Sequence, residues 1–141
     1  MGSSLGPMEP NAETVLGFSH VNLLVDDLDA ARAFYGHALS LVELPRPGVG
    51  GRGAWFRIGD LQLHLSVVDA MPAGTPTSVS HIALQLPAGT FDACVAAMES
   101  RGAVLTMGPR TREEFGVAVR TAFCRDPAGN LIELTDVGPL S

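Results

Sequence analysis

An internal repeat constrains this chain more than any other feature. Phe18-Ser19-His20-Val21-Asn22-Leu23-Leu24-Val25 returns in outline as Val79-Ser80-His81-Ile82-Ala83-Leu84-Gln85-Leu86, with the second histidine 61 positions (81 − 20) after the first. Each copy has strand character and is followed by a run with helical spacing. Each half then closes on a strand with a ligand-type residue at its centre, Leu63-His64-Leu65 in the first and Ile132-Glu133-Leu134 in the second. Units of this size bury too little surface to be stable alone, so the two halves are expected to share one core.

The elements follow in the same order in both halves, and the pattern predicts an α+β fold of two tandem βαβββ modules. The first module spans 17–68, a Pro/Gly/Ser-rich linker 69–78, and the second module 79–137, with tails at 1–16 and 138–141. In module one a strand is expected over 18–25, ended by Asp26 and Asp27, either of which can cap the next helix. Leu28, Ala31, Phe34 or Tyr35, and Ala38 mark one buried face of that helix. A short strand near 41–44, a Gly- and Pro-rich loop over 45–53 and strands over 54–58 and 61–68 complete the module. In module two a strand over 79–86 precedes a helix with Phe91, Val95 and Met98 on one face and Gly102 as terminator. A strand over 103–107, a charged loop over 108–116 and strands over 117–125 and 131–136 follow, the last two joined by a turn at 126–130.

Alternation along the strands divides polar from apolar side chains. His20 shares a face with Asn22, His64 with Gln62 and Ser66, His81 with Gln85, and Glu133 with Thr135. The opposite faces are apolar and need helices to cover them. Three imidazoles and a carboxylate at repeat-equivalent places suit a divalent cation between the halves, since these are the donors of Zn, Ni, Mn, Co and Fe(II). Asn22, Gln62 and Gln85 can orient them. His37 lies off the repeat pattern and reads as a surface residue.

Composition narrows the partners. The net charge is −6 and all nine basic residues are arginine, with no basic stripe, so nucleic acid is not an expected partner. No apolar run reaches the ~20 residues of a membrane span. The first residues have neither the basic nor the apolar region of a signal peptide and read as a flexible tail. Two cysteines without a CxxC make no disulfide framework, so Cys94 and Cys124 read as buried thiols of a reducing, cytoplasmic compartment.

Ser19 through Tyr35, Ser80-His81-Ile82-Ala83-Leu84 and Arg125-Asp126-Pro127-Ala128-Gly129-Asn130-Leu131-Ile132-Glu133-Leu134 resemble the vicinal oxygen chelate superfamily of glyoxalases, bleomycin resistance proteins and extradiol dioxygenases. The resemblance covers about 17–137. It implies an open, cupped mixed sheet around a divalent metal ion held by His20, His64, His81 and Glu133. It implies a small-molecule substrate bound through neighbouring oxygens, a homodimer, and proton transfer assisted by Glu133 and His64. Glyoxalase-like lyase or isomerase chemistry is the first expectation. An extradiol-type Fe(II) dioxygenase using His20, His81 and Glu133 is the second, and a non-enzymatic binder of a small antibiotic-type compound the third. Arg52, Arg57, Arg110 and Arg120 are the candidates to hold substrate carboxylates, and Trp55 or Phe56 to form a pocket wall.

Overall fold

A computed structural model describes residues 14–48, 50–73, 80–114 and 116–138. Most of the N-terminal tail (1–13), half of the expected linker (74–78) with residue 79 of the expected next strand, and the last residues (139–141) lie outside the described residues. Module one comprises β1 (His20–Val25), α1 (Leu28–Arg32), β2 (Glu43–Leu44), β3 (Gly53–Ile58) and β4 (Leu61–Val67). Module two comprises β5 (Ile82–Gln85), α2 (Phe91–Ser100), β6 (Leu105–Arg112), β7 (Val119–Arg125) and β8 (Leu131–Thr135). Each module is one four-stranded mixed sheet, with strand orders β1-β4-β3-β2 and β5-β8-β7-β6. The first strand of each pairs in parallel with the last, and the remaining pairs are antiparallel. The α+β architecture of two βαβββ modules is therefore as expected.

Duplication extends to the register. Asn22, two residues after His20, lies beside His64, and Ala83, two residues after His81, lies beside Glu133. Across the other neighbour of these strands, Trp55 faces His64 and Phe123 faces Glu133. The backbone thus presents three equivalent positions in each sheet.

Asp27, not Asp26, caps α1, accepting from Ala30 N at 3.0 Å. After Arg32 the helix widens into a π turn over Ala33–Ala38, with Leu39 N bonding back to Phe34 O at 2.9 Å. The widening resolves the alternative at Phe34 and Tyr35, since both side chains are buried.

One apolar cluster runs through both modules. It joins Phe34, Tyr35, Phe56, Leu63 and Leu65 to Phe91, Val95, Met98, Ile132 and Leu134. A polar knot inside it ties the halves. Tyr35 donates its hydroxyl to Asp126 Oδ2 at 2.6 Å, and Asn130 Nδ2 bonds both Asp126 Oδ2 (2.8 Å) and Leu24 O (2.9 Å). Ala128 N and Asn130 N reach Asp126 Oδ1 at 2.9 and 2.8 Å. Asp126 is only 4% exposed, and four donated bonds satisfy its carboxylate in place of water. Burial, and after it the neighbouring Asp126, raises the Tyr35 pKa well above the ordinary phenol range, so the phenol stays a donor.

One expectation needs correction. The stretch 108–116 is not wholly a charged loop, because β6 continues to Arg112. Pro109 is accommodated because β6 is an edge strand whose register shifts between Leu105 and Met107 and again between Met107 and Arg110. Gly108 takes φ +84° there, and a Cβ would crowd the Thr121 carbonyl and Ala122.

Candidate metal site

Of the four expected ligands, His20, His64 and Glu133 stand on the polar faces of the two sheets and His81 immediately precedes β5, which is shorter than the strand expected over 79–86; they gather as two pairs. In module one the His20 and His64 rings stack, with centroids 4.2 Å apart and planes inclined by 18°. In module two His81 Nε2 lies 2.9 Å from Glu133 Oε1. All four were expected to converge on one ion. Among the described residues no group of three or more His, Cys, Asp or Glu stands close enough to hold a metal ion. The single chain therefore presents two separate pairs, each a candidate half-site. The physical reason is topological: each pair belongs to one sheet, and β1 and β5 are edge strands of separate sheets.

Each half-site is held by polar neighbours on its own face. Ser19 Oγ is 3.1 Å from His20 Nδ1, which leaves Nε2 for another partner. His64 Nε2 is 2.8 Å from Gln62 Oε1, and since a carbonyl oxygen only accepts, Nε2 carries the hydrogen and Nδ1 the lone pair. Ser66 donates to Asn22 Oδ1 at 2.8 Å, closing the row of polar contacts between β1 and β4. Burial, then the neighbouring His20 ring and the Arg46 guanidinium, hold the His64 pKa below the ordinary histidine range. In the second half-site Thr121 donates its hydroxyl to Glu133 Oε2 at 2.9 Å, so both carboxylate oxygens are engaged. The Phe123 ring meets the His81 ring edge-on at 5.6 Å.

The donor chemistry fits a divalent ion. A nitrogen and a carboxylate oxygen 2.9 Å apart can share one ion at bond lengths of about 2.1 Å. His64 fits less well as a ligand beside His20. Ring nitrogens coordinate in the plane of the ring, and two stacked, nearly parallel rings direct their lone pairs along parallel planes instead of toward one point.

Thr121 and Arg46 had no signal in the sequence, and Trp55 was singled out there without its partner. Thr121 looks like any strand threonine, and only its place opposite the polar face of β8 brings it to Glu133. Of Trp55 and Phe56, one of which was expected as pocket wall, Phe56 is in the core, and the Trp55 indole stacks on His64 with centroids 4.1 Å apart and planes 4° apart. Arg46 reaches back to the Gly50 and Gly51 carbonyls at 3.3 and 3.2 Å and lies over Gly53, where a Cβ would stand 3.0 Å from Arg46 Nε and collide with the Leu65 carbonyl. Of the arginines proposed for substrate, Arg120 is taken by a bidentate pair with Asp92 at 2.8 and 2.9 Å and by Thr111. Arg52, Arg57 and Arg110 are exposed. His37 is exposed, and its carbonyl accepts from Arg101 Nε at 3.0 Å.

A cavity of about 420 Å³ lies elsewhere, between the apolar sides of the two modules, lined by Phe18, Val21 and Leu61 of one and Ile82 and Leu84 of the other. Of the four expected ligands only His81 touches it, so it is an apolar groove between the modules instead of the polar cup. No described helix is long and apolar enough to cross a membrane.

Comparison with known proteins agrees with this architecture. A glyoxalase family protein from Bacillus anthracis is 23% identical and superposes with a TM-score of 0.70 over 88% of this chain and 97% of its own. A glyoxalase/bleomycin resistance protein/dioxygenase from Alicyclobacillus acidocaldarius is 22% identical, with a TM-score of 0.68 over 85% of this chain and 90% of its own. The fosfomycin resistance protein FosX from Listeria monocytogenes, crystallised as a variant with Mn(II) and 1S,2S-dihydroxypropylphosphonic acid, is 22% identical, with a TM-score of 0.70 over 90% of this chain and 95% of its own. These likenesses establish the fold. No curated protein sequence matches the chain. The family profile described as "Glyoxalase/Bleomycin resistance protein/Dioxygenase superfamily" matches residues 17–134, and the chain belongs to that superfamily.

Proposed function

We propose that this protein is a metal-dependent enzyme of the glyoxalase-like type, acting by proton transfer on a small substrate that offers neighbouring oxygens. His20, His81 and Glu133 hold the divalent ion. His20 comes from one copy and the His81–Glu133 pair from a second copy of the chain in a homodimer. The observation that carries this reading is the pairing of His81 Nε2 with Glu133 Oε1 at 2.9 Å, while the repeat-equivalent His20 offers its own Nε2. Two further features support the dimer. β1 and β5 are both open sheet edges, and the apolar Leu16 and Phe18 just before β1 are 100% and 80% exposed. A structural neighbour that holds Mn(II) supports the choice of a divalent cation.

When bound, a divalent ion supplies a Lewis acid that stabilises negative charge on a substrate oxygen. The residues of the chain do the rest. His64, with Nε2 committed to Gln62, presents Nδ1 as a proton acceptor for a carbon next to a carbonyl. Thr121 holds the Glu133 carboxylate in one orientation, and Arg46 supplies positive charge beside His64. An extradiol-type oxygenase is less well served, since the only tyrosine, Tyr35, is committed to Asp126 in the core.

Elemental analysis of protein purified without chelators, combined with its mass in solution, tests the proposal. One divalent ion per chain in a dimer, lost in Glu133→Gln, is the expected result. Stoichiometric iron with oxygen consumption would replace it with the oxygenase reading. A metal-free protein that still binds small ligands would replace it with the non-enzymatic one.

A further inference from the structure

We infer that Trp55 is a positioning residue for ion capture: acting through His64, it fixes the His20 imidazole with Nε2 turned outward. Three rings on three adjacent strands lie in one stack. Trp55 on β3 stacks on His64 of β4 at 4.1 Å and 4°, and His64 stacks on His20 of β1 at 4.2 Å and 18°. The arrangement follows from the strand order, because β4 lies between β3 and β1 and Trp55 is the direct cross-strand neighbour of His64. Neighbouring strands stand about 4.8 Å apart, so flat rings at one level meet face to face with almost no adjustment.

Each ring in the stack restrains the next. The Gln62 contact at Nε2 prevents His64 from turning in its plane, and the indole prevents it from leaving that plane on the β3 side. His20 is then held between the His64 face and the Ser19 hydroxyl at Nδ1. A ligand whose rotamer is fixed beforehand binds an ion without losing further freedom.

Among the described residues the device occurs only in module one, and module two explains why. There the residue beside the second ligand strand is Phe123, and it meets His81 edge-on, with planes at 70°. His81 needs no stack, because the hydrogen bond to Glu133 orients it. Module one has no carboxylate at the equivalent position, so ring stacking takes over the task.

Because the ion-binding role proposed for His20 underlies this assignment, the test separates the two. Trp55 is the only tryptophan, so its emission reports on the stack directly. Zn(II), a d¹⁰ ion with no redox activity, is titrated into the unaltered protein while tryptophan emission and calorimetric heat are recorded. The expected result is an emission change that saturates with the heat. Trp55→Ala should weaken Zn(II) binding by roughly tenfold, the scale of residues that orient metal ligands, and Trp55→Phe should restore most of it. Heat without any emission change, or equal affinity in Trp55→Ala and the unaltered protein, would overturn the role of Trp55 while leaving the metal reading intact. No Zn(II) uptake by the unaltered protein would overturn both. The emission titration requires no variant, so it stands even if Trp55→Ala fails to fold.

Discussion

The two halves of this molecule share a backbone and differ in how they hold a histidine. In both, the first strand runs parallel to the last with the same register, so His20 and His64 occupy the places that His81 and Glu133 occupy in the copy. Module one orients its histidine with uncharged rings, and module two with a carboxylate and the buried Thr121 hydroxyl. Duplication has preserved where Cβ atoms lie and left the chemistry at those atoms free to diverge. The divergence concentrates the formal charge in module two, where a hydrogen-bonded carboxylate is available to compensate a cation.

The largest effect is expected where the halves are tied together. Asp126→Ala leaves the Tyr35 hydroxyl and the Asn130 amide without their buried acceptor and should destabilise the protein by roughly 3–5 kcal/mol in urea unfolding. Tyr35→Phe removes one bond but keeps the ring and should cost about 1 kcal/mol. Equal effects would show that the knot is not held by the carboxylate. Next, Glu133→Gln should weaken Zn(II) binding by at least ~100-fold and His64→Gln by only about tenfold, measured by calorimetry. Equal losses would make His64 a ligand and erase the asymmetry between the modules. A smaller change is expected for Thr121→Val, which keeps the shape but frees one Glu133 oxygen: about fivefold to tenfold in Zn(II) affinity, near the low end for an orienting residue.

The smallest effect concerns Cys124, on the core side of β7. Burial, and after it Asp126, pushes its thiol up from 9.0 to about 11. A group raised in the folded state contributes stability that is full below its unfolded pKa and is lost as pH rises through the folded value. Unfolding midpoints should therefore begin to fall above pH 9 and keep falling to about 11, and Cys124→Ala should flatten that limb. A limb unchanged in the variant would assign the loss to Tyr35 alone. At neutral pH, labelling with a thiol reagent should be faster at the half-buried Cys94 than at Cys124.

Much of this was legible in the chain. The repeat marked both modules, the alternation separated polar from apolar faces, and the helical spacing found α1 and α2. The limits were local. Gly108-Pro109 reads as a break, yet β6 passes through it because an edge strand can bulge and needs no donor at every position. Phe34 and Tyr35 could not both be placed inside by a 3.6-residue period, and a π turn was needed to bury both.

The residues thus determined by themselves the βαβββ pattern, the shared core and the identity of the ligand-type side chains, because periodicity and composition are properties of neighbours along the chain. Only the tertiary structure decided that the four candidates form two pairs, that Trp55 backs His64, and that Thr121 reaches Glu133. Those facts depend on which strands lie side by side and in what register, and strand neighbours are set by the packing of the whole sheet.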